Sequence, residues 1–238
     1  MKKIIQTQTL ALVLLVSTSL YASMSEMNER AFNSVKIKAD KNEANSQFAL
    51  GGMYYHGIGT EKNKAKAAAM YRKAADQGHL KAIFNLAELH VYGYGVKKDI
   101  NESISLFLEA AERGDNKSAI HLANIYYNGT ETKRDYKKSF KWYKIAADAG
   151  FPMAQYKVGI MYKRGKGTIK DIQQARSYLS KSAMQRYSEA QFSLGKMYLE
   201  GDGIVKNEVE AEALIKEAYL NGNKDAKAIM DKKNWKAE

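Results

Sequence analysis

Residues 49–78 read ALGGMYYHGIGTEKNKAKAAAMYRKAADQG, and the pattern returns four more times along the chain. Leu50, Leu86, Leu122, Val158 and Leu194 stand 36 residues apart, and so do Gly57, Gly93, Gly129, Gly165 and Gly201. A fixed period of this length is the signature of a stacked-repeat protein, in which each copy is one supersecondary unit buried by its neighbours.

The second copy, residues 80–114, shows what the unit is. Ala82, Leu86 and Leu89 fall at helical spacing with Phe84 beside them, which predicts a first helix, A, with one apolar stripe. His90-Val91-Tyr92-Gly93-Tyr94-Gly95-Val96 breaks it, because two glycines one residue apart supply backbone angles that other residues reach at a cost. Asp99 is placed to cap a second helix, B, by accepting from its free N–H groups. Glu102, three residues on, is placed to complete a capping box. Leu106, Phe107, Ala110 and Ala111 then point inward, and Gly114 is the left-handed residue that ends helix B.

The same chemistry recurs in columns. The caps read Asn63, Asp99, Asp135, Asp171, Asn207; the stops read Gly78, Gly114, Gly150, Arg186, Gly222. Small residues fill Ala74, Ala110, Ala146, Ser182, Ala218 and Gly51, Ala87, Ala123, Gly159, Gly195, which lets helices approach closely. Tyr54, Tyr126, Tyr162 and Tyr198 share a column in which His90 replaces a packing tyrosine, and Pro152, the only proline, falls in a first turn where its missing N–H costs little. Two copies depart from the pattern. Arg186 stands where the others have glycine, at a cost on the order of 1 kcal/mol if it keeps the left-handed angle. Glu131 replaces the second turn glycine, which predicts a different turn path there.

The expected fold class is therefore all-α: an α/α solenoid of 36-residue repeats. Residues 43–222 hold five repeats. Residues 23–42 form an N-terminal half-repeat, with Ala31 and Ala39 one period before Ala67 and Ala75; residues 223–238 form a C-terminal cap helix and tail, with Ala226 and Met230 continuing helix A columns. Residues 23–26 and those after Asn234 are expected to be loose.

Residues 1–22 have the layout of a secretory signal peptide: Lys2 and Lys3, an apolar run from Leu10 to Val16, and small residues up to Ala22. The run is too short for a comfortable span, so no stable membrane span is expected after cleavage, and the product is expected to be periplasmic or secreted. The chain has no cysteine, so neither lipid attachment through cysteine nor disulfide staples are available, and packing alone must stabilise it. The formal net charge is +12, and removing Lys2 and Lys3 leaves 12 − 2 = +10. A basic exported protein points to anionic partners such as a wall polymer, lipid headgroups or acidic proteins, and away from nucleic acid.

The set Leu50-Gly51, Tyr54, Gly57, Gly59, Asn63, Ala67, Ala74-Ala75, Gly78 resembles the Sel-1-like repeat, an α/α family related to tetratricopeptide repeats but with a longer period. The resemblance covers nearly all of residues 23–238. It implies a right-handed α/α superhelical solenoid of antiparallel helix pairs with A helices on the concave side, and an adaptor or scaffold role. Some exported, cysteine-rich relatives carry a β-lactamase or penicillin-binder label; this chain lacks their cysteines.

The most variable helix A positions are spaced as 45, 49, 52 and 56, a set that keeps to one helix face. Across copies this face gives the candidate binding residues Lys81, Asn85, Tyr92, Lys117, His121, Asn124, Lys157 and Arg164. Such a mostly basic, amide-bearing strip suits a protein or peptide partner, acidic in character, or an anionic envelope glycan. A second basic run, Lys133, Arg134, Lys137, Lys138, Lys141 and Lys144, reads as a solvated face beside the core aromatics Trp142 and Tyr143, or as a contact with an anionic envelope surface.

Catalytic signals are sparse. Ser193-Leu194-Gly195-Lys196 fits S-x-x-K, which makes Ser193 and Lys196 the weak catalytic candidates, but no Ser-Asp-Asn or Lys-Thr-Gly accompanies it. His56, His79, His90 and His121 include no pair at ligand spacing, so no metal and no cofactor is expected. Each Gly-x-Gly is a repeat turn rather than a phosphate loop. Asp99-Ile100-Asn101-Glu102-Ser103 matches an extended N-glycosylation sequon, although Asp99 already serves as a cap, and Asn128-Gly129-Thr130 matches the shorter form. The sequence thus reads as an exported, monomeric adaptor. The alternatives are a β-lactam-binding or hydrolysing protein and an accessory component of an envelope machine.

Overall fold

The computed structural model describes residues 2–236, with residues 2–20 as backbone only. The leader expected over 1–22 therefore lies, apart from Tyr21 and Ala22, outside the residues whose side chains are described. All regular structure among the described residues is helical, and no described helix is long and apolar enough to cross a membrane. The chain divides into two compact units, residues 1–113 and 114–238.

The first unit holds α1 (Lys2–Asp40), α2 (Ala44–His56), α3 (Lys64–Asp76), α4 (Leu80–Tyr92) and α5 (Ile100–Glu112). The second holds α6 (Asn116–Asn128), α7 (Tyr136–Asp148), α8 (Pro152–Arg164), α9 (Ile172–Met184), α10 (Ser188–Glu200), α11 (Glu208–Leu220) and α12 (Lys224–Lys233). Within each unit every helix packs against the next in chain order, as expected of an α/α solenoid. From α2 to α11 every helix has 13 residues, so the sequence period is a structural period.

The end signals act as the columns predict. Asn63, Asp99, Asp135, Asp171 and Asn207 each accept from the backbone N–H three residues on. Gly78, Gly114, Gly150, Arg186 and Gly222 all have positive φ, Arg186 at 61°. The close approaches are real: a Cβ on Gly51 would stand 2.7 Å from the Tyr71 ring, and one on Gly159 would stand 2.8 Å from Leu179 Cγ. The second turn glycines, such as Gly95 and Gly167, sit directly against the backbone that opens the preceding helix B, at Lys64 and Tyr136 respectively. Glu131 does not share the positive φ of those glycines. Its turn is held instead by Arg134, whose guanidinium donates to the Asn128 carbonyl at 3.1 and 3.3 Å.

Three expectations are corrected. The capping box at Asp99 does not close: the Asp99 N–H donates to the His90 carbonyl, and the Glu102 carboxylate turns to Arg72, 2.7 Å away. A guanidinium within reach is the stronger partner for a carboxylate than a backbone amide. Residues 23–26 are helical, as part of α1. Ala31 is exposed, unlike Ala67 one period later, because no helix A precedes it to cover that face; Phe32 and Ala39 are buried with Leu50 instead. At the other end Ala226 and Met230 pack with Ile215 and Ala218, and α12 closes the stack.

The candidate functional site

The variable face of every helix A lies at the surface. In the first unit Asn45, Ala49 and His56 of α2 are exposed and Gly52 half-buried; on α4, Lys81 and Tyr92 are exposed and Asn85 and Glu88 half-buried. Their helical neighbours Leu50, Leu86 and Leu89 are buried, so the face is left free by the packing that orders the helix. A cavity of about 240 Å³ opens on it, lined by Tyr55, His56, Tyr71, Asn85, Glu88, Leu89, Tyr92 and Tyr94. Tyr92 and Tyr94 stack with ring centroids 5.4 Å apart, and the Lys64 ammonium lies 3.4 Å from the Tyr94 centroid. Burial pushes the Tyr71 hydroxyl above its ordinary pKa, opposed by its hydrogen bond with Asn85. The cavity brings Asn85 and Tyr92 together; Lys81 stands outside it.

In the second unit Lys117 and Arg164 are exposed, while His121, Asn124 and Lys157 are half-buried. Asn124 accepts from the buried Tyr143 hydroxyl, which ties it to the fold, and the Lys157 ammonium lies 5.6 Å from the Tyr127 ring centroid. A cavity of about 270 Å³ brings Arg164 beside Tyr156, Ile160, Lys163, Glu189, Phe192, Ser193 and Lys196. The α6 residues are not part of it. Ser193 is hydrogen-bonded to Tyr156, whose hydroxyl burial holds above its ordinary pKa. Lys196 pairs with Glu200 at 3.7 Å. The two members of the S-x-x-K pattern are thus each engaged with a different side chain. Among the described residues no three His, Asp or Glu side chains gather to hold a metal.

Tyr94 and Phe192 escaped the sequence reading. The signal for Tyr94 is there: only the second copy places an aromatic ring between its two turn glycines, and the turn folds it back beside Tyr92. His90 indeed takes the tyrosine position, with Nε2 accepting from Arg72 at 3.3 Å.

Repeated helical hairpins with an accessible, variable face define an α/α-repeat scaffold. The Sel1 repeat pattern matches residues 44–79, 80–115, 116–151, 152–187 and 188–223, and the chain belongs to that family. Among solved structures it is similar to a Sel1 repeat protein from Oxalobacter formigenes (30% identity, TM-score 0.75, covering 91% of this chain and 85% of that one). It is also similar to c5321, a protective antigen of uropathogenic Escherichia coli strains displaying an SLR fold (30% identity, TM-score 0.81, covering 83% of this chain). The matched region spans 42% of the antigen's length. Yeast Tom70, at 18% identity and TM-score 0.55 over 85% of this chain, shares the fold alone. No curated protein matches the chain at a significant level. Sel1 repeat proteins are in general scaffolds for protein–protein interaction, and that is the class to which this chain is assigned.

Proposed function

We propose that the chain is an exported adaptor, periplasmic or secreted, that binds a protein or peptide partner along the variable faces of its A helices. The observation that carries this reading is the exposure of those faces between buried neighbours, with a cavity opening on them in each unit. Lys117, Lys157 and Arg164 make the second unit's share of the face basic, which favours a partner rich in carboxylates, or an anionic glycan. Export is supported by the charged start, short apolar run and small residues of 1–22.

Affinity capture from envelope extracts with the purified protein tests the reading. Capture of a defined partner is expected, and it is expected to be lost in the double charge reversal Lys117→Glu, Lys157→Glu. Unchanged capture removes these faces from consideration. N-terminal sequencing of the exported product is expected to begin at Ser23. Nitrocefin turnover that disappears in Ser193→Ala would instead favour the β-lactam reading.

A further inference from the structure

We propose that the turn edge of the second unit docks on an anionic lipid surface. The turns between helices A and B there lie along one edge, because Gly167 sits on Tyr136 and Lys137 and Gly203 sits on Ile172, each at the start of the preceding helix B. Lys166 reaches back to the Tyr136 hydroxyl at 3.4 Å, and Lys163 pairs with Asp202 of the next turn at 2.8 Å, which fixes the edge further.

At the tips of this edge stand aliphatic side chains with no packing role. Ile169 is 87% exposed and Val205 86%, one repeat apart in the same column, and Val209 is 79% exposed one turn beyond. The corresponding residues of the preceding copies are charged: Glu61, Lys97 and Lys133. The next column is basic throughout, as Lys62, Lys98, Arg134, Lys170 and Lys206. In the fourth and fifth copies the lysine stem rests on the first turn glycine, with Cβ 3.4 and 3.6 Å from the ideal Cβ of Gly165 and Gly201, while the residue is exposed. A stem contact needs no charge, so the charge is available for something else.

The acids at this edge are mostly engaged. Asp202 is held by Lys163, Glu208 by Lys233 at 2.8 Å and Glu200 by Lys196 at 3.7 Å, and Asp135 and Asp171 cap α7 and α9; Glu131 and Glu210 also stand at this edge. The result is a pair of protruding aliphatic tips flanked by Lys133, Arg134, Lys170 and Lys206. A protein partner for protruding tips must supply matching pockets, whereas the headgroup boundary of a bilayer accepts apolar protrusions of any shape and adds attraction for cations. Charge complementarity therefore selects a bilayer of anionic lipids as the occupant.

The absence of cysteine makes a direct test clean. An environment-sensitive fluorophore is attached to the full chain at Val205→Cys or, as a reference on the exposed face of α9, at Ser177→Cys. Vesicles of phosphatidylglycerol and phosphatidylethanolamine, or of phosphatidylcholine alone, are then added. The label at 205 is expected to shift to the blue only with the anionic vesicles, and the label at 177 is expected to stay unshifted. Lys170→Glu with Lys206→Glu is expected to lower the vesicle partition coefficient by on the order of tenfold or more. No shift at 205, or equal shifts at both positions because another part of the chain makes the contact, overturns the proposal.

Discussion

Arg186 offers a measurement of how much one backbone angle is worth. It holds φ at +61° in the column where Gly78, Gly114, Gly150 and Gly222 hold +81° to +94°. Its hydrogen bonds match theirs: the Arg186 N–H donates to Ala183 at 2.8 Å, and the Gly150 N–H donates to Ala147 at 3.0 Å. The helix stop is thus complete, and only the side chain is out of place. A left-handed angle costs an L-residue roughly 1–2 kcal/mol. Glycine's looser unfolded state returns about 0.5–1 kcal/mol of that. Arg186→Gly is therefore expected to stabilise the protein by about 0.5–1 kcal/mol, or about 1–4 °C in melting temperature for a chain of this size. Urea unfolding followed by circular dichroism reads the change, and Arg186→Ala separates the causes, because alanine keeps the angular cost while removing the side chain. The reverse exchange, Gly150→Ala, is expected to lose a similar amount, since a Cβ there meets no atom within 4 Å. A gain in Arg186→Ala equal to that in Arg186→Gly would refute the reasoning.

Further outcomes are expected elsewhere. Asp99→Ala should cost about 1 kcal/mol as a lost cap; a double-mutant cycle should find Glu102 coupled to Arg72 and additive with Asp99, because the ion pair and not the box is formed. Gln191→Leu should cost about 1–3 kcal/mol, read by urea unfolding, because it strands the Asn221 amide that donates to it at 2.9 Å. Burial pushes the Asp148 carboxyl up, but hydrogen bonds from Lys144 and Tyr178 outweigh it and hold the group below its ordinary range. Asp202 is held low by the hydrogen bond from Lys163. A folded pKa below the unfolded one contributes stability above the unfolded value and loses it as pH falls through the folded one. Stability should thus decline below about pH 4, with a shallower slope in Asp148→Asn by acid titration.

What could be read without coordinates was what repeats. The cap and stop columns give local instructions, each satisfied within a few residues, so Asp135 or Gly150 means the same thing wherever it stands. Contacts between the two helices of one hairpin were harder to read, because only some copies make them. Gln47, Gln155 and Gln191 are buried in one column and accept from Gln77, Gln185 and Asn221, the residues ending helix B of the same copy. The column was legible, but Ile83 and Ala119 interrupt it, and a glutamine on a helix reads as surface until its partner thirty residues on is known. The turn from Glu102 to Arg72 was hidden for a related reason: the capping pattern offers a local partner, and a nearby cation from another helix outcompetes it. In the candidate site, Asn85 and Tyr92 were legible as surface positions on one helix. Their neighbours Tyr55 and Tyr94 come from a different helix and from a turn, and only the packing of α2 on α3 and of α3 on α4 assembles them.

Gly95 and Gly167 seat their turns on the helix before them, and they make that joint out of main chain alone. Main-chain atoms are the same in every copy, whatever residues surround them. A hairpin inserted, removed or exchanged between such joints meets the same socket, so the length of the array and the identity of its recognition surface are free to evolve separately.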